Sequence, residues 1–294
     1  MKAHEYIISK QTQWALNRRI LLIGSEGCRG RLAYTPELNQ NLFEPLDSDV
    51  CESFAKADGH EISGSPCRPA KMQAVHSSSA LSVNVFQYWQ KRINQVSVIA
   101  TACGFCRNGE NVSQKIVFED KYPIKNNFKI PPNIDVVFHN SDSSQFKRFA
   151  VECKFSEAYS PHKGLKHEYT DLAEIWLGIQ NLHELAESIS PNDKSDNPID
   201  NRFTYLHAAQ LIKHILGLKA ECRKDGFKLL YLWYDVSDKE GDNHRDEIEK
   251  FSEVARADSI DFAAMTYQEL ILALSKDCGQ EHTDYIKYLT ERYL

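Results

Sequence analysis

Asp135, Glu152 and Lys154 stand inside two of the most strand-like runs of the chain, "NIDVVF" (Asn133–Phe138) and "RFAVECKF" (Arg148–Phe155). A buried strand tolerates charge poorly unless the charge is paired or does chemistry. Side chains alternate faces along a strand, so Glu152 and Lys154 share one face while Val151, Cys153 and Phe155 share the other. A hairpin between the two runs brings Asp135 to Glu152. Two carboxylates held together raise each other's pKa unless a cation lies between them. Oxygen ligands with room for water suit Mg²⁺, with Mn²⁺ as a substitute. Such an ion stabilises charge on a phosphodiester and activates water, and a neighbouring lysine adds charge stabilisation or orients that water.

The elements that must hold these residues follow from periodicity and breakers. Strands are predicted at Gln114–Glu119, Asn133–Phe138 and Arg148–Phe155. Long amphipathic helices are predicted at Thr170–Ser188 and Phe203–Lys224, then a strand buried on both faces at Phe227–Val236. A helix near Glu247–Arg256, a short strand "SIDFAAMT" and two terminal helices complete the chain. Upstream, "LDSDVCESFAKADG" reads as a helix stopped by Gly59, and "HSSSALSVNVFQYWQKR" as a helix with serines for caps. The fold class is α/β: a mixed central β-sheet flanked by helices, with an N-terminal helical extension over 1–68 packed on a core over 69–294. Ser188–Arg202, rich in Asp, Asn, Ser and Pro, reads as the flexible segment.

At these residues the chain resembles the PD-(D/E)xK nuclease superfamily, in particular its bacterial restriction-endonuclease-like members. The pattern is an acid ending one strand, a variable gap, then acid-x-lysine on the next. Here it reads Pro132-Asn-Ile-Asp135, sixteen intervening residues, then Glu152-Cys-Lys154, with the proline three residues ahead of the aspartate instead of adjacent. The likeness covers roughly Pro69 to Thr266. It implies a restriction-endonuclease-like fold and a Mg²⁺-dependent endonuclease acting on double-stranded DNA. Asp135 and Glu152 would hold metal, and Lys154 would position water or stabilise the transition state. In many related nucleases a glutamine on the following helix reaches the site, and Gln210 resembles it. Many also add an upstream glutamate, for which Glu61 is the candidate and Glu52 the fallback. Such enzymes often act as dimers, so a homodimer is expected. The rival reading is a non-catalytic module that keeps the fold and binds nucleic acid or protein.

Other residues carry weaker signals. His207 and His214 fall at helical spacing with Gln210 and are read as a solvated helix face. Cys103 and Cys106 form half of a zinc-site spacing, with Cys67 or His76 as the only partners in view, and are read as ordinary thiols. Ser77–Ser79 are read as helix caps. Lys163 and Lys166 follow the catalytic strand in a basic loop, and Arg68 with Lys71 makes a second basic group, so these four are the candidates for substrate contact.

The bulk numbers restrict the partners. The 294 residues carry 41 acids against 35 Lys and Arg, a net charge of −6, so a polyanion must bind through a local basic patch. The N-terminus lacks a signal-peptide core and no run reaches membrane-span length, so a cytoplasmic location is expected. Eight scattered cysteines agree with a reducing compartment.

Overall fold

The computed structural model describes residues 1–24, 32–65, 68–107, 112–124, 128, 130–160, 162–190 and 199–294. Five strands form one sheet in the order β1-β2-β3-β4-β5: β1 (Ser113–Lys121), β2 (Asn133–Asn140), β3 (Arg148–Lys154), β4 (Phe227–Trp233) and β5 (Phe262–Thr266). The first three are antiparallel neighbours, as short connections require. β4 and β5 join in parallel, each reached by a helical crossover. The sheet is therefore mixed, and the α/β restriction-endonuclease-like class read from the sequence is the observed one.

Helices cover both faces. Before the sheet come α1 (Ala3–Asn17), α2 (Ser48–Lys56), α3 (Ser78–Gln90) and α4 (Val96–Ala102). Between β3 and β4 lie α5 (His167–Thr170), α6 (Gln180–Ser188) and α7 (Ala208–Cys222). After β4 come α8 (Lys239–Ala257), α9 (Tyr267–Asp277) and α10 (Thr283–Tyr293). Phe138 of β2 lies opposite Phe149 of β3, and that face is covered by Phe86 of α3 and by Phe105, stacked on Phe149 at 4.8 Å. The opposite face of β3, carrying Ala150, Glu152 and Lys154, is covered by α7. β3 is central and buried along nearly its whole length. Each large apolar side chain removed from water there contributes about 1.5–3 kcal/mol. One apolar cluster runs from Ala3 to Tyr293, so α1 shares the core of the rest.

Three element boundaries depart from the sequence reading. The helix expected over Thr170–Ser188 is broken: α5 ends at Thr170, a short 3₁₀ turn follows at Ala173–Trp176, and α6 begins at Gln180. Gly178 takes φ +79°, a conformation open to glycine that periodicity does not reveal. The helix expected from Phe203 starts at Ala208, because the N–H groups of Thr204, Tyr205 and Leu206 donate to the Glu247 carboxylate at 2.7–2.8 Å. α8 starts eight residues earlier than expected, with the Asp238 carboxylate accepting from the N–H groups of Glu240 and Gly241. α3 is capped by Ser77, whose hydroxyl accepts from the Ala80 N–H at 3.2 Å. Most of the segment read as flexible, 191–198, lies outside the described residues. Among the described residues no helix is long and apolar enough to cross a membrane.

Candidate active site

The register aligns acids on three neighbouring strands. Phe118 pairs with Val136 and Asp120 with Ile134, which sets Glu119 abreast of Asp135. Val136 pairs with Val151, so one residue further along Asp135 stands abreast of Glu152. Opposite residues of an antiparallel pair share a face, with Cα atoms about 4.5–5.5 Å apart. Glu119, Asp135 and Glu152 therefore form a single row on the face covered by α7. The expectation that Asp135 and Glu152 meet on one face holds, and Glu119 joins them.

Each acid is held differently. Past Val136 the Asp135 carboxylate accepts the backbone N–H of Cys153 at 2.7 Å. Glu119 sits at φ +53°, a region costly for a residue with a Cβ, and accepts from the Asn133 side-chain amide at 2.9 Å. Glu152 is fully buried, with Oε1 accepting from Lys154 Nζ at 2.6 Å. Its Oε2 lies 2.8 Å from His214 Nε2, a buried contact on which the imidazole and the carboxylate face each other. Lys154 Nζ also donates to Gln210 Oε1 at 2.9 Å.

Charge divides the row. Burial pushes the Asp135 carboxyl well above its ordinary value, and the neighbouring Glu152 charge pushes it further. Burial and the same Glu152 charge raise Glu119 to about 7. Burial would raise Glu152 too, but Lys154 and His214 beside it outweigh that and hold it at about 2. Lys154 loses hydration by burial, yet Glu152 and Asp135 keep it above the ordinary lysine range. Glu152 and Lys154 thus form a charged pair, while burial and the neighbouring acids drive Asp135 and Glu119 toward their neutral forms.

Glu152 and Lys154 are not a solvent-facing edge pair, because β3 is the middle strand and Glu152 is 0% exposed. The rear wall of the site is dry, and solvent reaches it at the half-buried Asp135 and Glu119. His214 corrects an expectation. It lies 1% exposed against Glu152, not on a solvated face, because α7 turns the Gln210–His214 stripe toward the sheet. His207, just ahead of α7, is half-buried with its ring 4.6 Å from that of His162. Burial, with help from Lys154, lowers its pKa to about 3.

The remaining candidates scatter. Glu61 is near enough for its charge to reach Glu119, and its Oε1 pairs with Lys71 Nζ at 3.2 Å. Lys71 also donates to the Gly59 carbonyl. Glu52 is an exposed acid paired with Lys56 along α2. Arg68 is exposed beside a bridge to Ser65. Lys163 and Lys166 are both exposed in the turn after β3. Cys103 is buried and Cys106 half-buried, while Cys67 lies outside the described residues.

Sequence reasoning missed Glu119 and misread His214. Glu119 was legible in part, since it falls on the face opposite Ile116 and Phe118 in the alternation of β1. Its reach depends on the positive φ, which no residue type there announces. For His214 the signal was its position four residues after Gln210 on a helix otherwise lined by apolar side chains.

Comparison with known families adds one finding. Residues 9–294 match the model of a family described as restriction endonuclease associating with ARP. The chain belongs to that family. Comparison with curated proteins and with solved structures found no match. The match of this restriction-endonuclease family spans the whole sheet and the acidic row, so the row lies in the part of the chain that the family shares.

Proposed function

We propose that the chain is a metal-dependent endonuclease that hydrolyses phosphodiester bonds of double-stranded DNA. The observation that carries this reading is the row Glu119–Asp135–Glu152 with Lys154 beside it. The donor set fits a hard divalent cation. Asp135 and Glu119 offer half-buried carboxyl oxygens whose proton a cation would displace, and Glu152 Oε2 is a buried oxygen whose neighbour is the His214 imidazole. Among the described residues no three His, Cys, Asp or Glu side chains converge tightly enough to enclose an ion alone. Water or phosphate oxygens must complete the coordination, as Mg²⁺ prefers. Asp135 and Glu152 would hold the ion, with Glu119 nearest as a third acid. When bound, Mg²⁺ supplies charge neutralisation at the phosphate and lowers the pKa of a coordinated water.

The chain's own groups do the rest. An ammonium carries three N–H donors, and Lys154 spends two on Glu152 and Gln210. The third is left for the attacking water or for the oxygen on which charge develops. Gln210 and Glu152 fix the lysine's direction, and its high pKa keeps it charged during turnover. As the water oxygen bonds to phosphorus and gives up a proton to solvent, one ester P–O bond breaks and the departing oxygen takes up a proton from solvent. Hydrolysis of supercoiled plasmid with Mg²⁺ or Mn²⁺, lost on Asp135→Ala, is the test.

One observation favours a second reading, a non-catalytic module that keeps the fold. Glu152 and Lys154 are closed upon each other, and Glu152 has no access to solvent. Calorimetric titration with Mn²⁺ separates the two. Binding that depends on Asp135 and Glu152 supports the enzyme, and no binding supports the module.

A further inference from the structure

Lys213 makes no hydrogen bond and no ion pair among the described residues, although burial pushes its pKa below the usual lysine value. The other two lysines lowered by burial are both partnered. Lys10 donates to the Tyr234 hydroxyl at 3.0 Å, and Lys219 donates to the Ile175 carbonyl at 3.0 Å. A desolvated cation without a partner costs stability, so its retention asks for a ligand.

Its place on α7 says which. Gln210, three residues before, bonds Lys154, and His214, the next residue, stands against Glu152. Residues three apart on a helix are neighbours, so Lys213 borders the site at its lysine end. From there it feels the charges of Glu152 and Lys154 in the site and of Lys166 and Glu168 at the start of α5. Lys213 thus lies within electrostatic reach of Lys154 in the site and of Lys166 in the turn after β3.

We propose that Lys213 binds the phosphodiester next to the scissile one and, with Lys166, sets the path of the DNA strand into the site. This rests on the nuclease reading. An ammonium on a long stem is a point charge suited to a phosphate oxygen, and binding there would supply the anion that the fold withholds. Lys213 is a positioning residue and takes no part in bond making.

The test is fluorescence anisotropy of a short mixed-sequence DNA duplex in EDTA, over a KCl series, with the full chain. Lys213→Gln should weaken binding several-fold and reduce the slope of log K against log salt by about 0.9, one phosphate contact. The same variant should melt at a higher temperature than the parent, because an unpaired desolvated charge is gone. Lys213→Arg should restore most of the affinity. An unchanged slope, a lowered melting temperature with binding intact, or a parent that does not bind the duplex each overturns the inference. The nuclease reading fails separately: a parent that binds but cuts no plasmid with Mg²⁺ or Mn²⁺ sinks catalysis, while the salt slope still decides Lys213. Should the parent cut and Lys213→Gln bind and cut equally well, only this inference falls.

Discussion

Glu119 stands abreast of Asp135, carboxylate beside carboxylate on adjacent strands, and reaches that position through a backbone turned to φ +53°. Two costs meet there: strain at a residue with a Cβ, and negative charge beside negative charge. A fold maintains such an arrangement when something it binds repays it.

Glu119→Gln isolates the electrostatic part. An acid whose folded pKa is raised from about 4.5 to about 7 binds its proton more tightly when folded. Its contribution to stability is therefore lost as pH rises from about 4.5 to 7. The amide keeps the shape without the charge. It should stabilise the metal-free protein by about 1–3 kcal/mol at pH 8 and by little near pH 4.5. Its affinity for Mn²⁺ should fall. Urea denaturation at the two pH values, with a calorimetric titration at the higher one, measures both effects. A variant less stable than the parent at pH 8 contradicts the proposed repulsion.

Arg292 tests how α1 is tied to the core. Its guanidinium is 1% exposed and pairs with no carboxylate among the described residues. It donates to Gln11 Oε1 at 2.9 Å, to the Asn41 carbonyl at 2.8 Å and to the Tyr288 hydroxyl at 2.6 Å, and lies 3.9 Å from the Trp14 ring. Removing it strands several buried acceptors. Arg292→Ala should cost on the order of 3–5 kcal/mol. A loss below about 1 kcal/mol in urea denaturation would mean that the α1–α10 junction holds without it.

His244 sets part of the acid limit of the fold. It is fully buried on α8, 3.1 Å from the Tyr231 hydroxyl, and burial lowers its pKa to about 3. Unfolding lets it return to about 6.5 and take up a proton. Stability is therefore full above 6.5 and lost as pH falls toward 3. Between pH 7 and pH 5 this one group costs about 2 kcal/mol. His244→Gln should remove that share of the pH dependence, whatever its effect at pH 7. Parallel denaturation profiles of parent and variant would contradict it.

The sheet was legible because alternation and apolar runs report burial directly: all five strands fall where the pattern puts them. Asp135, Glu152 and Lys154 were legible because charge in such runs is conspicuous. The helices between β3 and β4 were less so. The break at Gly178 and the late start of α7 depend on contacts made only in the folded chain, above all the Glu247 carboxylate that captures three N–H groups ahead of α7. His214 was misread for a related reason: a polar stripe on a helix looks the same whether it faces water or a buried acid. Glu119 needed the strand register, which the sequence leaves open.

Lys154 decides the catalytic reading. Because it is buried against Glu152, deleting it does two things at once. Lys154→Ala removes a donor aimed at developing charge, which typically costs on the order of 10²–10³ in rate or more. It also strands the Glu152 carboxylate in the core, at about 3–5 kcal/mol. An open, solvated site would have spared the fold, and this one does not. The double variant Glu152→Gln with Lys154→Met keeps the volume and removes both charges, so it should recover most of the lost stability and none of the cleavage. Asp135→Ala should abolish cleavage and metal binding together while leaving the metal-free protein at least as stable, since a repelled acid is gone. Plasmid cleavage, Mn²⁺ titration and urea denaturation on these variants read the three effects separately. If Lys154→Ala or Asp135→Ala cuts plasmid as fast as the parent, the charges are structural and the acidic row is not the active site.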